Sequence, residues 1–145
     1  MPFWNTLFSL FFVGLTFAAL YLLDQTVGVP LSIDLFDLAL ITLAVFRLTR
    51  LVVYDSIMKF FRDWFENARE GTFLGTLRTL VNCPWCMGLW FALSVTFFYF
   101  FYLEAWFVIL VLAIAGVSSF IQILANWVGW SAEHKKKKVL HFKQD

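Results

Sequence analysis

Charge is scarce in this sequence, and the little there is falls in two blocks. Asp, Glu, Lys and Arg make up 14% of the 145 residues, against about a quarter in soluble domains. No Lys or Arg precedes Arg47, and Glu104 is the single charged residue between Met87 and Ala132. Hydrophobic residues reach 61%, more than a chain of this length can bury in a soluble interior. The sequence therefore predicts an all-α integral membrane protein.

Residues that carry out catalysis are also few. The chain has two histidines and two cysteines, and it contains no nucleophile–histidine–acid set, no Gly-rich phosphate loop and no HExxH motif. We therefore expect a protein that is not an enzyme. No folded basic surface accompanies the lysines near the C-terminus, so no nucleic-acid partner is expected.

Four apolar runs predict about four transmembrane helices, since about 20 residues cross the hydrocarbon core. The first run lacks a basic n-region and is longer than a typical h-region, so it is interpreted as a retained helix. Pro84 suits the first turn of the third helix, and Glu104 marks a tight hairpin before the fourth. The predicted spans are residues 3–23, 31–54, 85–103 and 106–128.

The segment 55–82 is predicted to lie on the membrane surface. Asp55 is a candidate cap for an amphipathic helix that Gly71 ends, with Trp64 among its apolar residues. An apolar face rich in aromatics, opposite a mixed charged face, suits a helix in the headgroup layer. The alternative is a helix packed on another protein.

The two basic blocks, 47–78 and 135–143, are separated by two predicted spans and so lie on one side. The positive-inside rule places that side in the cytoplasm. Residues 1–130 then form a multi-pass membrane domain with both termini cytoplasmic, and residues 131–145 form a basic cytoplasmic tail. The bilayer is the first expected partner, and anionic lipids would be attracted by the lysine run, which comprises Lys135, Lys136, Lys137 and Lys138.

Polar residues inside the predicted spans are candidates for helix contacts. Arg47 and Arg50 are three residues apart and share one helix face. Asp55 or Glu66 could pair with either arginine, and snorkelling to the interface is the alternative. In the fourth span, small and amide side chains form one stripe, which usually mediates helix packing. A pore lining is the less favoured interpretation of that stripe, whose residues include Ser119, Gln122 and Asn126.

The two cysteines lie in the segment Cys83-Pro84-Trp85-Cys86. At the start of a helix, exposed N–H groups and the helix dipole favour a thiolate on the first cysteine. Three interpretations stay open: a packed structural pair, a redox or lipidated thiol, and a metal site. No cofactor is required, but Cys83 and Cys86 could bind zinc together with His134 and His141, or together with the cysteine pair of a second chain.

Three segments together resemble a known family. They are Phe46-Arg47-Leu48-Thr49-Arg50-Leu51, then Tyr54-Asp55, then Cys83-Pro84-Trp85-Cys86-Met87-Gly88-Leu89-Trp90. This combination resembles the small bacterial and phage membrane proteins catalogued as domain of unknown function 1360, over roughly residues 37–101. The resemblance implies a bacterial or phage origin and a location in the bacterial cytoplasmic (inner) membrane. It implies no activity.

The expected function is that of a non-enzymatic membrane component that packs with itself or with a partner protein. The absence of a catalytic set, the polar stripe and an aromatic content of 21% favour it. Two alternatives remain: a holin-like protein that permeabilises the membrane, and a thiol- or metal-binding protein that uses Cys83 and Cys86.

Overall fold

The computed structural model describes residues 2–28, 32–69 and 71–141, with side chains described for 3–28, 32–69 and 71–131. This part of the chain is helical and contains no strand. A 3-10 turn at Ser56–Met58 leads directly into the third helix. The helices are α1 (Pro2–Thr26), α2 (Leu35–Val53), α3 (Lys59–Glu66), α4 (Phe73–Asn82), α5 (Pro84–Phe101) and α6 (Ala105–His141).

Three of these helices contain segments long and apolar enough to cross a membrane. They are Phe3–Thr26, Pro84–Phe101 and Ala105–Ser131, and they coincide with the first, third and fourth predicted spans. The second predicted span became α2, which has 19 residues. It is not among the three, and it carries three charged residues, Asp37, Arg47 and Arg50.

α2 lies at the centre of the bundle, packed against α5 and α6. Ile41 and Ala44 of α2 form the core with Val95 of α5 and Ile109 of α6. No residue from Leu43 to Val53 is exposed, whereas the outer faces of α1, α5 and α6 present many large apolar side chains. The helix α2, which carries three charged residues, is therefore the one that its neighbours shield.

The ends of the long helices follow from local sequence. Gly28 has a φ of +81° and its N–H bonds to the carbonyl of Leu23, a left-handed ending that favours glycine. α5 begins at Pro84, as predicted, and three residues link α5 to α6. The helix α6 continues to His141 without a break, so the predicted boundary at residue 131 is not a helix end.

The segment 55–82 differs from the prediction. The helix α3 ends at Glu66, short of Gly71, and the side chain of Asp55 makes no capping hydrogen bond. A second helix, α4, was not predicted. Thr72 caps it by accepting a hydrogen bond from the backbone N–H of Gly75 at 3.1 Å, and the positive φ of Gly71, +84°, allows the turn before it.

The helices pack so that one end of the bundle collects the described basic side chains. The start of α1 contacts α4 through Trp4 and Phe73, whose ring centroids are 5.6 Å apart. At this end also lie the end of α2, α3 and the start of α5. We call it the basic end; its cations are Arg47, Arg50, Lys59, Arg62, Arg69 and Arg78.

Candidate functional site

A cleft of about 420 Å³ separates the end of α2 from α6 at the basic end. We call it the basic cleft. It is lined by Arg47, Arg50, Asp55, Ser118, Ser119, Gln122, Ile123 and Asn126. The structure thus brings together all six polar residues that the sequence marked as helix-packing or intramembrane candidates, although their role stays a prediction.

Gly116 determines how closely α6 approaches α2 next to the cleft. A Cβ atom on Gly116 would lie 2.6 Å from the carbonyl oxygen of Leu43, so the contact requires a residue without a side chain. Just beyond it, the hydroxyl of Ser119 donates to the carbonyl of Ala115 at 2.8 Å. Every residue from 120 to 130 is exposed, so α6 has left α2 by this point and the cleft opens between them.

Asp55 holds one of the two arginines. Its carboxylate lies 2.9 Å from Nη1 of Arg47, and the two side chains are 28% and 23% exposed. Arg62 fixes the same turn by donating to the carbonyls of Val52 at 2.7 Å and Asp55 at 2.9 Å. Sequence reasoning missed Arg62; the available signal was a cation shortly after a helix end, where side chains often bind the last carbonyls.

Arg50 has no such partner. Its guanidinium carbon lies 5.6 Å from the centre of the Tyr54 ring, and its Nε is buried with no hydrogen-bond partner in the described part of the chain. Among the residues whose side chains are described, Arg50 forms no ion pair. The lining of the basic cleft therefore carries two cations and one anion, an excess of one positive charge.

The α6 side of the basic cleft is polar and neutral. Gln122 Nε2 donates to Oδ1 of Asn126 at 3.3 Å. Ser118 donates its hydroxyl to the carbonyl of Ile114, as Ser119 does to that of Ala115. The amide hydrogens that remain on Gln122 and Asn126 are further donors on this wall of the cleft.

The cysteine pair lies beside a different groove. The thiol of Cys83 accepts a hydrogen bond from the backbone N–H of Cys86 at 3.3 Å, and both thiols are free. Hydrogen bonding from the Cys86 side chain, and then from its backbone, lowers the pKa of Cys83. Cys83 borders a groove of about 920 Å³ between the start of α1, α3 and α4, whose lining includes Lys59, Arg62 and Arg78.

The predicted metal site lies partly outside the described residues. Among the side chains that the structure describes, no group of three or more His, Cys, Asp or Glu residues could hold a metal ion. The side chains of His134, His141 and the lysine run 135–138 fall outside that part of the chain. Trp64, predicted to contact lipid, is 81% exposed on α3; its role stays a prediction.

Tyr99 is a polar contact that sequence reasoning missed. Its hydroxyl donates to the carboxylate of Asp37 and ties α5 to α2 at the end opposite the basic end. The signal was the acidic residue one turn into an apolar helix, because such residues usually find a partner inside the bundle.

Comparison with known proteins adds two matches. A family profile described as "Protein of unknown function (DUF1360)" matches residues 40–125, which include both cysteines and the whole lining of the basic cleft except Asn126. The Sporulation protein YjcA of Bacillus subtilis (strain 168) is 34% identical, over 61% of this chain and 90% of its own length. No solved structure matches significantly.

Proposed function

This chain belongs to the DUF1360 family of proteins of unknown function, and we propose that it is a non-enzymatic component of the bacterial cytoplasmic membrane. It works by packing against a second copy or a partner protein. In this proposal α2 is a fourth membrane span, α3 lies on the membrane surface, and the basic end, with both termini, faces the cytoplasm.

The shielding of α2 supports a fourth span. Its 19 residues extend about 28 Å at the helical rise of 1.5 Å per residue, close to the thickness of the hydrocarbon core. Charges at membrane depth are tolerated when they face the bundle interior and are paired. Asp37 meets Tyr99 and Arg47 meets Asp55, while Arg50 lies in the last turn of the helix.

The collection of cations at one end supports the orientation. All six Lys and Arg residues with described side chains lie at the basic end, and membrane proteins carry an excess of such residues on the cytoplasmic side. The short α5–α6 link, which contains Glu104, then faces the opposite side.

The observation that carries the packing proposal is the exposed stretch of α6 from residue 120 to residue 130. Earlier in α6, Ile109, Ala113 and Gly116 are buried at intervals of three or four residues, whereas all eleven residues from 120 to 130 are exposed. On the face turned away from the basic cleft, apolar residues recur at helical spacing, which suits contact with another helix. They are Phe120, Ile121, Leu124 and Val128, 45–60% exposed.

The proposal is tested by photo-crosslinking in cells. A photoreactive amino acid at Leu124 should give a discrete product, either a dimer of this chain or an adduct with one protein. The control position is Phe17 on α1, which is also exposed, at 69%, and should give only lipid or diffuse products. Equal patterns at both positions, together with a strict monomer in mild detergent, would contradict the proposal.

The holin-like alternative makes the opposite prediction about membrane integrity. A packed membrane component leaves the membrane potential unchanged when its expression is induced, whereas a permeabilising protein collapses it. A potential-sensitive dye in growing cells separates the two, with an inactive frameshifted gene as the control.

The name of the Bacillus subtilis relative suggests the process. Because the match covers 90% of that relative, we propose that this chain serves sporulation too. The test counts heat-resistant spores in a Bacillus subtilis strain from which the relative's gene has been deleted, and this chain should restore any loss in that count as well as the relative's own gene. Restoration by that gene but not by this chain would count against the proposal.

A further inference from the structure

The lining of the basic cleft contains two cations, Arg47 and Arg50, and one anion, Asp55, so one positive charge is left without a counter-charge in that lining. Asp55 is engaged by Arg47 at 2.9 Å, and the buried Nε of Arg50 has no acceptor among the residues that the structure describes. We propose that the basic cleft binds a phosphate group, with the guanidinium of Arg50 as its principal contact. The phosphate belongs either to the headgroup of an anionic phospholipid or to free phosphate. This inference goes beyond helix packing and concerns the opposite face of α6.

The chemistry of Arg50 fits a phosphate. Guanidinium is a planar group with five N–H donors, and its fork matches two phosphate oxygens at once. The contact with the Tyr54 ring, 5.6 Å from the guanidinium carbon, holds the group in place beside the cleft. A buried donor without an acceptor destabilises the protein, so Arg50 is stabilised when its side chain shifts to bring Nε within reach of a phosphate oxygen, an acceptor that the described residues do not supply.

The opposite wall supplies neutral donors. Gln122 uses one amide hydrogen on Asn126, which leaves further N–H groups on both side chains. The hydroxyls of Ser118 and Ser119 are already donated to carbonyls of their own helix. A ligand with several acceptor oxygens is therefore matched by donors from α2 on one side and α6 on the other.

The charge of the basic cleft favours a phosphodiester. Two arginines and one aspartate leave an excess of one positive charge, which a phosphodiester with one negative charge balances. A phosphate monoester carries about −1.5 to −2 at neutral pH and would remain partly unneutralised. The volume of about 420 Å³ leaves room for a headgroup around the phosphate.

The surroundings of the basic cleft favour a lipid as the source. Ile123 on its wall is 37% exposed and Trp127, one turn further along α6, is 68% exposed, so apolar surface adjoins the cations. Basic pockets between membrane helices on the cytoplasmic side are typical sites for anionic headgroups. This step rests on the proposed membrane orientation, whereas the phosphate contact itself does not.

The test uses the full chain purified in an uncharged detergent and titrated by calorimetry. Three probes are compared: short-chain phosphatidylglycerol, short-chain phosphatidylcholine and inorganic phosphate. Wild-type protein should bind phosphatidylglycerol at least tenfold more tightly than phosphatidylcholine. Arg50→Gln should weaken that binding at least tenfold. Arg50→Lys keeps the charge but loses the fork, so its affinity should lie between those of the wild-type protein and Arg50→Gln. The control is Arg69→Gln, because Arg69 is exposed and borders neither groove.

The outcomes separate the two sources. Arg50-dependent binding of phosphatidylglycerol without binding of inorganic phosphate supports a lipid as the ligand. Equally tight, Arg50-dependent binding of inorganic phosphate supports free phosphate. Three results would overturn the proposal: no binding of either anion, unchanged binding in Arg50→Gln, or equal weakening in Arg69→Gln. If Arg50→Gln does not fold, Arg50→Lys carries the comparison. The crosslink from Leu124 should persist in both Arg50 variants, so failure here leaves the packing proposal standing.

Discussion

Gly116 illustrates how one missing side chain controls the bundle. Its backbone contacts that of Leu43 so closely that even a methyl group, 2.6 Å from a carbonyl oxygen, requires the helices to move apart. We expect Gly116→Ala to reduce the free energy of unfolding by about 1–3 kcal/mol, the usual cost of overpacking. Denaturant unfolding of the purified protein in detergent measures the change.

The matched control for that substitution is Gly14→Ala in α1. A Cβ atom at Gly14 meets nothing within 4 Å, and alanine is the better helix former. Stability should therefore stay the same or rise slightly. A similar loss in both variants would mean that the cost comes from the helix backbone and not from the α2–α6 contact.

Cys83 should be the more reactive of the two thiols. Hydrogen bonds from Cys86 lower its pKa, so at a pH below the ordinary thiol range more of it is thiolate, the form that reacts. Alkylation of Cys83, followed by mass spectrometry across a pH series, should reach its maximum rate at a lower pH than that of a free cysteine.

The variant Cys86→Ala tests the cause of this reactivity. It removes the thiol hydrogen bond that contributes most to the lowered pKa, so the alkylation profile of Cys83 should move to higher pH. An unchanged profile would assign the reactivity to the position of Cys83 at the start of α5 and not to the neighbouring thiol.

The junction between α2 and α3 depends on the pairing of Arg47 with Asp55. We expect Asp55→Asn to destabilise the protein by about 1–2 kcal/mol, because it leaves a partly buried cation unpaired, although partial exposure moderates the cost. Asp63→Asn, on an exposed position of α3, should change stability by less than about 0.5 kcal/mol. In the Arg47→Gln background, Asp55→Asn should cause little further loss of stability. A double-mutant cycle on the free energy of unfolding measures this coupling.

The elements that the sequence predicted well are those that local composition determines. The apolar runs, Pro84 and Glu104 located α1, α5 and the start of α6 to within a few residues, because a lipid-facing helix is apolar on every side. The segment 55–82 was predicted less well. Gly71 was used as a helix end, but α3 already stops at Glu66, and the cap signal of Thr72, which begins a second helix, was not used.

The basic cleft was predictable in its residues but not in its assembly. Arginines in an apolar helix and amides in another are conspicuous in any sequence. Their meeting depends on the approach of Gly116 to Leu43, and no periodicity within either helix reports a contact between residues so far apart. Tyr99 and Arg62 were missed for the same reason, since each is defined by the distant group to which it donates.

The arrangement of the whole chain in the membrane is open to a direct test. Single cysteines at Asp24, Arg69 and Glu104, in a background with Cys83→Ala and Cys86→Ala, are labelled on intact cells with a membrane-impermeant maleimide. Four spans with a cytoplasmic basic end predict labelling at 24 and 104 and protection at 69.

A structure with three spans gives a different pattern. If α2 does not cross, positions 24 and 69 lie on the same side and position 104 lies on the other. Labelling after the cells are permeabilised is the control that shows each cysteine to be accessible. If positions 24 and 69 are both labelled or both protected on intact cells, α2 does not cross the membrane, whichever side the basic end faces.

The central place of α2 has a consequence for how the protein is made. An Asp or Arg at the centre of a newly synthesised helix opposes its insertion by about 2.5–3.5 kcal/mol, and one nearer an end by less. The helix α2 has three such residues and leaves the ribosome before the helices that shield it. We expect the nascent chain to be anchored first by α1 alone. α2 then inserts fully once α5 and α6, which three residues link, enter the membrane as a hairpin and pack around it. Biogenesis of the bundle would then run from its two edges towards its centre.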